Sequence, residues 1–181
     1  MENLFTPDCI RTFSGQYVNV FDPKPETILI EDIAHALSFQ CRFGGHLPQF
    51  YSVAQHSRLC SQLLYGTEHE LSALMHDASE AYLLDIPSPI KKKLSNYAEI
   101  EDRLMKIISE KFRFKYPFHD LVHQADRKML EIEWNEIMLG KKNEAYTIIR
   151  SNTTRKEDKE DFLNYFKQLS EKSTGLLIEN Q

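Results

Sequence analysis

An all-α fold, a bundle of about six or more helices, is what this chain predicts. Apolar residues fall at helical spacing from Ile30 onward, beginning with Ile30, Ile33, Ala34 and Leu37. Strand signals are few: Val18, Val20 and Phe21 alone suggest a short strand or hairpin. Turn residues punctuate the periodic stretches, at Gly44-Gly45, Gly66-Thr67 and the double-proline run Asp85-Ile86-Pro87-Ser88-Pro89.

Each element has its own justification. Residues 1–29 read as an irregular segment packed on the core, with Thr12, Ser14, Gly15, Pro23 and Pro25 as turn signals. A helical pattern opens at Ile30, and a loop follows at Arg42-Phe43-Gly44-Gly45-His46-Leu47-Pro48. The next helix is expected from about Gln49 to Leu64, carrying Val53, His56, Leu59 and Leu63. Thr67 with Glu70 resembles a capping box. It opens a helix expected to run to about Tyr82 through His76 and Asp77. Two prolines then stop helical propagation. Further helical patterns cover 95–114, 118–139 and 157–171, with Pro117 at the start of the middle one. Residues 30–172 thus read as one domain and 173–181 as a flexible tail.

Bulk properties narrow the function classes. The chain has 181 residues, 41% hydrophobic and 27% charged, as expected of a soluble globular domain. A net charge of −5 weighs against a protein that coats nucleic acid, which shows a basic field. It does not weigh against a phosphate substrate, because a metal and a few local cations reverse the potential inside a cleft. Cys9, Cys41 and Cys60 form no CxxC, and no signal-like run precedes them, so a cytoplasmic setting with free thiols is expected. No apolar run approaches the roughly 20 residues that span a membrane.

The chemistry concentrates in Leu74-Met75-His76-Asp77-Ala78-Ser79-Glu80-Ala81-Tyr82. A histidine, an aspartate and a glutamate lie there among apolar residues, and buried polar groups are costly unless paired or bound. On a helix, His76 and Glu80 would share a face. Imidazole and carboxylate donors suit Mn, Fe, Co, Ni or Zn. Further donors lie on other helices: His56 in Val53-Ala54-Gln55-His56-Ser57, and Asp126 in Val122-His123-Gln124-Ala125-Asp126. Taken singly, His56 reads as a hydrogen-bonded core histidine and Asp126 as part of a solvated face. The four together are the stronger signal. Arg42-Phe43-Gly44-Gly45 lacks the phosphate-loop pattern, and Cys60 reads as a buried structural thiol.

These residues resemble the HD-domain phosphohydrolases, in which one histidine, an adjacent His-Asp pair and a distant aspartate recur. The likeness covers roughly 28–140 and is nearest to bacterial 5′-deoxynucleotidases and phage dATP triphosphohydrolases. It is carried by Asp32-Ile33-Ala34-His35-Ala36-Leu37-Ser38, Arg42-Phe43, Ser52-Val53-Ala54-Gln55-His56-Ser57, His76-Asp77-Ala78-Ser79-Glu80 and Asp85-Ile86-Pro87-Ser88-Pro89-Ile90-Lys91.

The resemblance implies that His56, His76, Asp77 and Asp126 bind one divalent cation (Co, Mn, Zn, Fe, Ni or Mg). It implies Glu80 and Asp85 as the catalytic carboxylates. Arg42 would contact substrate phosphate or sugar, and Phe43 stands where the deoxynucleotidases carry a tryptophan beside the sugar. Lys91 would add charge at the phosphate end, or belong to a solvated lysine run with Lys92 and Lys93. His35, His46 and His123 are either near the site or structural. The Thr12-Ser14-Gly15 turn either closes over a nucleotide or caps the bundle. The expected function is a metal-dependent hydrolase of small-molecule deoxynucleotides, mono- or triphosphates, acting as a homo-oligomer without nucleic-acid polymer or membrane. The alternatives are a non-catalytic nucleotide- or metal-binding scaffold, or an HD hydrolase of (p)ppGpp or cyclic nucleotides.

Overall fold

The computed structural model describes residues 6–141 and 153–178, with side chains through Lys172. Eight α-helices and one two-stranded hairpin occur among them, so the all-α expectation holds. The hairpin pairs β1 (Cys9–Arg11) with β2 (Tyr17–Asn19), Ile10 opposite Val18, and Val18 is buried in the core. Its turn is fastened to α1 (Ile30–Phe39). The Asp32 carboxylate accepts both the Ser14 N–H and the Ser14 hydroxyl, each at 2.7 Å. Thr12-Ser14-Gly15 therefore caps the bundle and lines neither of the clefts described below.

α2 (Val53–Leu63) starts four residues later than its pattern suggests. Backbone groups of 40–42 pair with 51–53 instead: Arg42 N–H to Tyr51 C=O at 2.9 Å, and Val53 N–H to Gln40 C=O at 3.1 Å. Ser52 is the N-cap and accepts the Gln55 N–H at 3.0 Å. Its own hydroxyl donates to Asp158 at 2.6 Å, which ties α2 to α8 (Arg155–Ile178).

The expected single helix through His76 and Asp77 is two short ones, α3 (Glu70–Leu74) and α4 (Glu80–Leu83). A tight turn of i→i+3 bonds joins them, including Ala78 N–H to Met75 C=O at 3.0 Å and Glu80 N–H to Asp77 C=O at 2.9 Å. The capping box is also rearranged. His69 is the N-cap residue, Thr67 Oγ1 accepts the His69 N–H, and the Glu70 carboxylate reaches back to the Gly66 N–H. α5 (Ser88–Lys91), α6 (Tyr97–Phe112) and α7 (Asp120–Glu133) follow, and α7 continues into a π-helical turn at Trp134–Met138. α8 runs to Ile178, beyond the point where the tail was expected; 179–181 lie outside the described residues.

α2 is the axis of the bundle, lying against α1, α3, α7 and α8. Ile28, Ile33, Leu37, Leu74, Met75, Leu104, Ile108 and Phe162 form the main core. A smaller apolar cluster of Tyr51, Leu59, Cys60, Met129 and Ile137 joins α2 to α7. Among the described residues no helix is long and apolar enough to cross a membrane. Phe162 is fully buried and carries α8 into the main core. Phe162→Ala should cost about 3–5 kcal/mol, read as a lowered urea midpoint.

Candidate metal centre

Three separate elements bring His56, His76, Asp77 and Asp126 together. His56 is fully buried on α2, one turn after the Ser52 cap. His76 and Asp77 lie in the turn between α3 and α4, and Asp126 comes from α7. The His56 and His76 Nε2 atoms are 3.3 Å apart. Asp126 Oδ1 lies 3.2 Å from His56 Nε2 and 3.7 Å from His76 Nε2. Asp77 spans both rings, Oδ1 at 3.2 Å from His76 Nε2 and Oδ2 at 3.6 Å from His56 Nε2.

Both rings are oriented from behind. His76 Nδ1 is 2.8 Å from the Ala73 carbonyl, which can only accept, so Nδ1 carries the proton and the Nε2 lone pair faces the cluster. His56 Nδ1 hydrogen-bonds the carboxylate of Glu133, a fully buried residue on α7. The same carboxylate accepts the Tyr51 hydroxyl at 2.8 Å and Arg42 Nη2 at 3.2 Å. A carboxylate behind a metal-binding imidazole fixes its tautomer and raises its basicity.

His56, Cys60, His76 and Asp126 offer ligand atoms within 4.8 Å of one another, a group that could hold a metal ion. The donors fit one: Asp77 Oδ2 is buried without a hydrogen bond, as a carboxylate oxygen awaiting a cation would be. Cys60 Sγ is 3.4 Å from His56 Nε2 and 4.0 Å from Nδ1. Lying within 4.0 Å of both nitrogens, it sits beside the ring, off the line of the Nε2 lone pair.

Charge shapes the site further. Burial disfavours the Arg42 charge, but Glu133, Asp77, Asp85 and Glu80 outweigh it and raise the Arg42 pKa. Burial likewise pushes His56 and His76 toward neutrality, and neighbouring acidic groups reverse that in both. Asp126 is held well below the usual carboxylate range, because its bonds to the two imidazoles outweigh the cost of its burial. Glu80 is raised well above that range by burial and then by Asp77 and Asp85. Burial also raises Asp85, against the pull of Arg42.

Two clefts meet at this cluster. The larger, about 720 Å³, is lined by Arg42, Phe43, Glu80, Asp85, Lys91 and Trp134 among others. The smaller, about 430 Å³, is lined by His76, Glu101, Asp102, Tyr116 and His123 among others. Asp77, Lys91 and Asp126 line both. Phe43 and Gly44 take left-handed backbone (φ 56° and 59°), turning the chain between the buried Arg42 and the cleft wall. Leu84, between Glu80 and Asp85, has φ 71° and ψ 153°. That is a glycine-type conformation, costing a residue with a side chain about 1–3 kcal/mol.

Of the residues expected to touch substrate, Arg42 is largely engaged within the protein. Besides Glu133 it lies 3.6 Å from Asp85 and 3.9 Å from Asp77. Lys91 is held by Glu101 at 2.5 Å and lies 3.8 Å from Glu80, whereas Lys92 and Lys93 are exposed. Phe43 faces Trp134, ring centroids 6.2 Å apart. His35 is stacked between Phe13 and Phe39 and lines neither cleft, nor does the exposed His46.

Glu133 and Trp134 were missed in the sequence. The signal for Glu133 was its position: a carboxylate continuing the buried stripe Val122, Ala125, Met129. Glu133→Gln should weaken Zn or Co binding by about 10–100-fold. A competition titration with a chelator checks this, and an unchanged affinity would remove Glu133 from the centre.

No family model matches the chain. YfdR of Escherichia coli (strain K12), an uncharacterized protein, is 45% identical over 130 residues, 72% of each chain. An uncharacterized protein of Rhodobacter capsulatus is 39% identical over 111 residues, 56% of this chain and 57% of that one.

Proposed function

We infer that this chain, which belongs to the same family as Escherichia coli YfdR, is a metal-dependent phosphohydrolase acting on deoxynucleotides. One observation carries the reading. The donor cluster opens onto a cleft whose wall also holds two carboxylates, Glu80 and Asp85, that are not in the ligand set. A site that only bound a metal would have no use for them.

When bound, a divalent cation supplies an acidified water and polarises a phosphoryl oxygen. His56, His76, Asp77 and Asp126 would hold it. Glu80 takes a proton from the attacking water, a task that suits a carboxyl raised above the usual carboxylate range by burial and by Asp77 and Asp85. The water oxygen forms the new P–O bond as the bond to the leaving oxygen breaks. Asp85, also raised, returns a proton to that oxygen. Lys91, between Glu80 and Glu101, offsets charge gathering on the phosphoryl group. Phe43 and Trp134 offer flat faces for the nucleoside.

The substrate question is tested with a panel of deoxy- and ribonucleotide mono-, di- and triphosphates. Each is assayed with Mn, Co, Mg and Zn, and products are separated by chromatography. Hydrolysis of none of them would leave a binding scaffold as the better account. Glu80→Gln should retain metal by elemental analysis while kcat falls by about 10²-fold or more; near-normal kcat would remove Glu80 as the base. Trp134 is the chain's single tryptophan, so its emission reports the larger cleft alone. Nucleotide binding should quench it, and Trp134→Ala should raise KM with little change in kcat; unquenched emission would place the base elsewhere.

A further inference from the structure

We propose that Gln40 is a positioning residue that clamps the Glu80–Asp85 loop, holding both carboxylates in place against the backbone strain at Leu84. This rests on the hydrolase reading only for what the two carboxylates do; the clamp itself stands on hydrogen bonds. The Gln40 side-chain amide makes two of them across the loop. Its Nε2 donates to the Glu80 carbonyl at 2.8 Å, and its Oε1 accepts the Asp85 N–H at 2.9 Å. Each end of the segment linking the two carboxylates is thus bonded to one side chain.

Gln40 can act as a fixed reference because its own backbone is held on both sides. Its N–H donates to the Ala36 carbonyl at 3.1 Å, ending α1, and its C=O accepts the Val53 N–H at 3.1 Å, at the start of α2. The loop is therefore registered to the helix that carries His56. α4 spans only Glu80–Leu83 and cannot supply that registration by itself.

What the clamp resists is visible at Leu84. With φ 71° and ψ 153° its backbone occupies a region natural to glycine. Its side chain is 62% exposed, so no core contact repays the conformation. The Leu84 N–H donates to Glu80 C=O at 2.8 Å, and the Leu84 carbonyl accepts the Ile86 N–H at 3.0 Å and the Tyr97 hydroxyl at 3.4 Å. These bonds lie within the loop or come from α6. Among the described residues, Gln40 provides the side-chain hydrogen bonds that tie both ends of the loop to the junction of α1 and α2, and Arg42 adds an ion pair to Asp85 at 3.6 Å. Released from Gln40, Leu84 would relax toward negative φ, and the next residue to swing is Asp85.

The test is a double-mutant cycle. Gln40→Ala should lower kcat by about 10–100-fold with little change in KM, the scale of a misplaced catalytic group. Combined with Leu84→Gly, where the required backbone is no longer strained, the same Gln40→Ala change should cost less than about threefold. A general packing role for Gln40 predicts equal losses in both backgrounds, and that result would overturn the proposal. Amide exchange gives a second readout on the metal-free chain without substrate. Gln40→Ala should speed exchange of the Asp85 N–H at least tenfold, and unchanged exchange would also overturn it. Should Gln40→Ala fail to fold, Gln40→Glu carries the test, since it keeps the acceptor for Asp85 and loses the donor to Glu80; the Asp85 N–H should then stay protected. If no nucleotide is hydrolysed but exchange responds as stated, the hydrolase reading falls and the clamp stands.

Discussion

A carboxylate with no exposure to solvent lies where α7 meets α2, and the site is arranged around it. Glu133 accepts from His56, Tyr51 and Arg42. An uncompensated carboxylate there would be unstable, and removing one partner of such a buried pair typically costs about 3–5 kcal/mol. The three donors therefore constrain one another. His56 must present Nδ1–H to Glu133, which leaves Nε2 for the candidate metal centre. Arg42 must come inward from its left-handed turn, which places its other nitrogen near Asp77 and Asp85. A single buried negative charge thus aligns α2, α7 and the 42–45 turn.

The site's electrostatics follow from crowding. Asp77, Glu80, Asp85, Asp126 and Glu133 stand close together, countered by Arg42 and Lys91. Five carboxylates against two permanent cations leave a surplus of negative charge. Burial and then Asp77 and Asp85 raise Glu80, burial raises Asp85 against the pull of Arg42, and acidic neighbours raise His56 and His76 against the cost of their burial. A divalent cation among the ligands would relieve that surplus directly. Arg42, which resemblance alone makes a substrate contact, is also the counter-ion that lets so many carboxylates share one pocket.

Much of the fold was legible in the sequence because helical periodicity is a local signal. α6, α7 and α8 overlap the stretches their apolar patterns mark, and His56, His76 and Asp126 converge with Cys60, which the sequence marks as structural, while Asp77 lies beside His76. The misplacements have a common origin in long-range bonding. Residues 49–52 have helix-compatible side chains, yet the backbone of 51–53 pairs with 40–42. The stretch 67–82 keeps helical periodicity, but i→i+3 bonding tightens its middle into a turn. That turn, more than a shared helix face, brings His76 and Asp77 to the cluster while Glu80 opens α4 beside it.

By itself the sequence determined the helical class and the apolar stripes, since these depend on residue type and spacing within one element, whereas the expected ligand set rested on the resemblance to the HD-domain phosphohydrolases. Only the tertiary structure decided which nitrogen of each histidine faces the centre, that Arg42 is bound up with Glu133, and that Trp134 closes the cleft opposite Phe43. Those outcomes rest on bonds between residues far apart in the chain, such as the His56–Glu133 pair, separated by 77 positions. No local pattern encodes which of two buried polar groups will meet. Their meeting is settled when helices pack and each must find a partner or remain unsatisfied.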